Sequence, residues 1–149
     1  TSWYFNYMIH LYEAGVISGT SATTYTPDAK LSWAAALKLL LVSHGDLKSE
    51  DATGADWSKN TIAKAAELGL VAADLDGTKA TSRLEFCQAN KLAESKTESK
   101  FTDCTDGYVM ALVDAKVING MTETTFEPDA SLTRAQIAKI IYQLNLIEK

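Results

Sequence analysis

Apolar residues near the start of the chain recur at helical spacing: Trp3, Tyr7, Met8, Leu11 and Tyr12 mark one face, and Gly15 supplies a stop. A loop rich in Thr, Pro and Asp follows, after which helical spacing returns with Leu37, Leu40 and Leu41. The same succession closes the chain, where a loop through Pro128 leads into Ile137, Ile140, Ile141 and Leu144. Pro27 and Pro128 are excluded from helix interiors and push the preceding residue toward extended backbone, so both loops are expected to be well defined. Ser32, Ser82 and Thr133 stand where the second helix of each unit begins and are good N-caps. Ser82 with Glu85, and Thr133 with Gln136, have capping-box spacing, which ties off two backbone donors reciprocally. The pattern therefore predicts helix, loop, helix, repeated three times, in an all-α chain of six main helices.

The first and last of these units are copies of one another. Residues 7–41 match residues 108–142 at an ungapped shift of 101 positions, laying Tyr7, Leu11, Val16, Gly19, Pro27, Leu31 and Lys38 on Tyr108, Leu112, Val117, Gly120, Pro128, Leu132 and Lys139. A weaker middle copy pairs Trp57 with Trp3 and Gly69 with Gly15, has a tighter loop from Ala73 to Ser82, and resumes at Ser82-Arg83-Leu84-Glu85. A unit of about forty residues is too small for a core of its own. The expectation is one module over residues 1–149, with repeats at approximately 3–45, 56–95 and 101–146 sharing a single core.

Composition narrows the function. With 46% hydrophobic residues the chain can build that core, and its net charge of -5 with only two arginines argues against nucleic acid, where a basic face supplies most of the affinity. No apolar run approaches the roughly 20 residues that a membrane helix needs, so no membrane insertion is expected. The start inside a helical pattern at Thr1 is expected to mark a piece of something longer, so the lack of a recognisable export signal carries little weight. His10 and His44 are isolated from other ligand types, and Asp74-Leu75-Asp76-Gly77 departs from a calcium loop because Lys79 stands where glycine is required. Neither metal nor cofactor is expected, and no nucleophile or acid–base constellation points to an enzyme. Cys104 takes the repeat position of Trp3 and Trp57, which suggests a small buried apolar side chain; a disulfide to Cys87 is the alternative.

The two arginines carry the chemical signal. Arg83 and Arg134 occupy the same repeat position, directly after the N-cap of the second helix. Acidic residues are favoured there, so a cation is out of place electrostatically. Beside unpaired helix N–H groups, a guanidinium would make a receptor for a carboxylate or phosphate. The competing reading pairs both arginines with nearby carboxylates such as Glu85, Asp103 or Asp129. Copy one has Trp33 at this position, where an indole either stacks on a sugar ring or simply packs.

Gly15-Val16-Ile17-Ser18-Gly19 with Thr26-Pro27-Asp28-Ala29, Val117-Ile118-Asn119-Gly120 with Glu127-Pro128-Asp129-Ala130, and Thr133-Arg134-Ala135-Gln136 resemble the S-layer homology repeat. Phe101-Thr102-Asp103 also looks like the opening of such a repeat. The resemblance implies three S-layer homology repeats in a pseudo-threefold, three-pronged body around a shared central helical bundle. It implies a module at the bacterial cell surface that binds secondary cell-wall polymer, an anionic and often pyruvylated glycan, in grooves between repeats. Arg83 and Arg134 would then grip the ligand's negative group, while Trp33 and the Asn119-Gly120 loop shape the grooves. Lateral association with other surface-layer proteins is a further partner the resemblance implies. The rival expectation is a protein-interaction or self-assembly module that keeps the fold without sugar affinity.

Overall fold

The computed structural model describes residues 3–13, 28–52, 54–90 and 95–147. Its helices are α1 (Phe5–Glu13), α2 (Trp33–His44), α3 (Trp57–Glu67), α4 (Arg83–Ala89), α5 (Gly107–Asp114) and α6 (Arg134–Ile147), with a short 3-10 turn at Ser49–Ala52. Among the described residues no strand forms, and the chain is all-α as the periodicity predicts. Gly15, Gly19 and Pro27 of copy one lie outside the described residues.

Each second helix starts at its expected cap. Ser32 Oγ accepts from the Ala35 amide at 3.2 Å. Ser82 and Glu85 form the reciprocal capping box. Thr133 and Gln136 repeat it, the Gln136 amide donating to Thr133 Oγ1 at 3.2 Å and the Thr133 amide to Gln136 Oε1 at 2.9 Å. The first helices end less uniformly. Copy two turns out of α3 at Gly69 with φ +75°, whereas the equivalent place after α5 is Lys116, forced to φ +61° with a side chain attached.

Helix α2 is apolar around most of its circumference, and such a helix has to be interior. Ala36, Leu39 and Leu40 join Leu11 of α1, Phe86 and Cys87 of α4, Val109 and Leu112 of α5, and Ile137, Ile140 and Ile141 of α6 in the main cluster. Trp33, Leu37 and Leu41 point instead into a second cluster with Leu47, Ala65 of α3 and Ala89 of α4. Side chains from all three copies therefore meet in the packing that surrounds α2.

The loops that precede α2, α4 and α6 close a ring of backbone hydrogen bonds. The Leu31 amide donates to the Leu132 carbonyl at 3.3 Å, the Leu132 amide to Thr81 at 3.1 Å, and the Thr81 amide back to Leu31 at 3.1 Å. The first amides of the second helices extend the same rotation. Trp33 and Ala34 donate to Lys79 and Gly77 at 2.7 and 3.0 Å, Arg83 and Leu84 to Ala130 and Pro128 at 2.9 and 3.0 Å, and Arg134 to Ala29 at 2.9 Å. This corrects the expectation of unpaired N–H groups beside the arginines. Orphan donors buried among three loops must find acceptors, and the neighbouring copy's carbonyls supply them.

A cationic cleft at the seam between copies

Because the first helical residue of each copy is stitched to the loop of the next, its side chain is delivered to a seam. At Arg83 that seam is the loop of copy three. Arg83 Nη2 donates to the Asn119 carbonyl at 2.7 Å and Nε to the Phe126 carbonyl at 2.9 Å, while the guanidinium lies 4.5 Å from the centre of the Phe126 ring. The residue is only 5% exposed, so its charge is held by carbonyl dipoles and an aromatic face. Burial pushes the Arg83 pKa down, and the nearby Cys87, Glu127 and Asp103 oppose that shift. The acceptors are main-chain oxygens, not the carboxylates that the ion-pair reading proposes.

The copy-three loop is itself braced. Asp103 Oδ1 and Oδ2 accept from the amides of Phe126 and Glu127 at 2.8 and 2.9 Å, which fixes the carbonyl that Arg83 needs. These two bonds hold the Asp103 pKa below the usual carboxylate range. Glu127 is at φ +58°, a left-handed conformation that the Asp103 contacts help to retain. At Gly120 a Cβ would strike the Phe101 ring and the carbonyl oxygens of Thr122 and Thr125, so only glycine allows the loop to close this tightly.

Arg83, Asn119 and Gly120 thus come together, on the wall of a cleft of about 290 Å³. Val117, Ile118, Leu132 and Ile140 give it an apolar floor, Gln136 and Lys139 of α6 add polar groups, and Trp3 of copy one stands at its edge. Trp3 is 58% exposed, so its indole has a face to offer. Two cations and no carboxylate line the cleft among the described residues, in a chain whose net charge is -5. Lys139 has no ion-pair partner among the described residues.

Two of the expected site residues go elsewhere. Trp33 is 4% exposed and packs in the second cluster, so it offers no ring to a ligand. Arg134 is half-buried and does not line the cleft; Ser18 and Tyr25, the copy-one matches of Asn119 and Phe126, lie outside the described residues. Conversely, Trp3 and Lys139 are cleft residues that were not among the expected ones. Lys139 had a signal: it matches Lys38 under the 101-residue shift.

Comparison with known families bears directly on this seam. The S-layer homology domain family matches residues 1–37 and 102–138, the stretches that supply Trp3 and the copy-three lining from Val117 to Gln136, while Arg83, Lys139 and Ile140 fall outside them. The chain carries S-layer homology domains. An endoglucanase from Bacillus sp. (strain KSM-635) is 28% identical over 173 aligned positions, covering 97% of this chain and 18% of the relative. The chain thus spans less than a fifth of the length of that enzyme. S-layer homology domains are binding modules that attach cell-surface proteins to cell-wall polymers, which places this chain at the bacterial cell surface. Among the described residues no helix is long and apolar enough to cross a membrane, and no group of His, Cys, Asp and Glu is arranged to hold a metal ion.

Proposed function

We propose that this S-layer homology module anchors its parent protein by holding an anionic sugar of the secondary cell-wall polymer in the Arg83–Lys139 cleft. The observation that carries the reading is the lining: two cations, an apolar floor and an exposed indole at one seam, with no carboxylate among the described residues. A pyranose presents apolar C–H faces together with hydroxyl and acidic substituents, and such a surface needs an apolar platform beside a positive end. Arg83, locked by two carbonyls, is pre-organised and supplies a fixed field, whereas Lys139 is the cation that can move to meet the ligand. Asn119 and Gly120 serve through their backbone, setting the width of the cleft and the seat of Arg83. Arg134 belongs to the equivalent seam between copies three and one. The three repeats act as one module, in the pseudo-threefold arrangement that the ring of loop hydrogen bonds supports.

Co-sedimentation with purified cell walls tests the reading, before and after chemical removal of the non-peptidoglycan polymer. Retention of the wild type should fall sharply on stripped walls. Lys139→Gln should weaken retention on intact walls by roughly 5- to 20-fold, the size of one lost charged contact, with helicity unchanged. Equal retention by Lys139→Gln and wild type would remove the cleft from the mechanism. A second reading, attachment to another protein, draws on the exposed Trp3, Phe5 and Tyr12. Retention indifferent to polymer removal would favour it.

A further inference from the structure

The cleft leaves one pair of reactive groups unused. Cys87 lies on α4, one turn after Arg83, and Cys104 directly follows Asp103, which fixes the carbonyl that receives Arg83. Both are free thiols, 1% and 7% exposed, and both belong to the main core cluster. Their segments are clamped together by the neighbouring residues: Gln88 Nε2 donates to Asp106 Oδ2 at 2.9 Å, and α4 packs on α5. Cys104 is among the groups that raise the Cys87 pKa. Burial is the largest cause at both positions, pushing Cys87 up to about 12 and Cys104 up as well.

We propose that Cys87 and Cys104 are an oxidation site that closes into an intramolecular disulfide, fastening the helix that carries Arg83 to the segment that braces its socket. The oxidant is a small-molecule disulfide. The Cys104 thiol, the more accessible of the two, loses its proton and attacks one sulfur of the reagent, expelling a thiolate and forming a mixed disulfide. Cys87, deprotonated in turn, attacks Cys104 Sγ and expels the second thiolate. Two cysteine thiols are oxidised, one reagent disulfide is reduced to two thiols, and the two protons end on those products. A cell-surface setting favours the oxidised form, because disulfides persist outside the cytoplasm. The raised thiol pKa values keep both sulfurs protonated at neutral pH, so closure is slow there and accelerates about tenfold per pH unit while the thiolate fraction remains small.

The test needs no wall ligand, so its outcome is independent of the sugar-binding reading. Reduced protein is incubated with oxidised glutathione at about pH 8, quenched with acid, and thiols are alkylated in denaturant before mass analysis and peptide mapping. The expected result is loss of both alkylatable thiols, a Cys87–Cys104 linked peptide pair in monomeric protein, and a rise of about 5 °C or more in Tm over the reduced form. Cys104→Ser should abolish both the linkage and the oxidant-dependent rise. Thiols that remain fully alkylatable, a stable glutathione adduct on Cys104, or dimers in place of the internal link would each overturn the proposal. Because wild type is compared with itself in two redox states, poor folding of the serine variant does not blunt the result.

Discussion

Trp33 and Arg83 hold the same repeat position, follow the same kind of serine cap and donate their amides to the same kind of neighbouring loop, yet they build opposite seams. At the first seam the side chain is an indole, sunk among Leu37, Leu41, Leu47 and Ala65. At the second it is a guanidinium bound to two carbonyls, and a cleft remains open beside it. The lysines diverge in parallel: Lys38 lies 5.4 Å over the Trp57 ring, whereas its counterpart Lys139 lines the cleft along with Trp3. The shared backbone frame thus fixes where a seam lies, and the first residue of the second helix is core at one seam and lines a cleft at the other.

The largest expected effect comes from breaking the first seam. Trp33→Ala should cost about 3–5 kcal/mol of stability, the usual penalty for deleting a buried large aromatic, and show as a lower midpoint in urea. Its remaining folded fraction should keep wall retention. At the open seam, Arg83→Ala should cost about 3 kcal/mol, because it leaves the Asn119 and Phe126 carbonyls without their donor, and it should also lower retention per folded molecule. A loss of stability at Arg83 with retention untouched would erase the proposed difference between the seams.

Asp103 probes the brace under the open seam by pH. Its pKa is depressed in the folded state, so its contribution is present above the usual carboxylate range and disappears as pH falls through the depressed value. Thermal melts between about pH 5 and pH 2 should show wild type losing more stability than Asp103→Asn, which has no charge to neutralise. Parallel curves would remove Asp103 from the account. The smallest change compares helix ends: Lys116→Gly should raise stability by about 0.5–1 kcal/mol, since glycine adopts the left-handed backbone without strain, as Gly69 does in copy two.

Much of this frame was legible in the order of residues. Periodicity and capping chemistry are local, so the six helices and the starts at Ser32, Ser82 and Thr133 followed from spacing alone. Repeat position singled out Arg83, the family resemblance pointed to the Asn119-Gly120 loop, and these do share a wall. The fate of the helix donors was not legible, because their acceptors are main-chain carbonyls of another copy, and no side-chain pattern encodes those. Trp33 shows the same limit. An indole at a helix start reads alike whether it faces solvent or a leucine cluster, and only the arrival of α3 and Leu47 decides it.

The circuit through Leu31, Thr81 and Leu132 has no first or last member. A chain stripped of any one unit would be left with one amide and one carbonyl gaping at each other, a vacancy shaped for the matching loop of a second molecule. Shortened versions of this module should therefore couple to one another by lending the missing segment across.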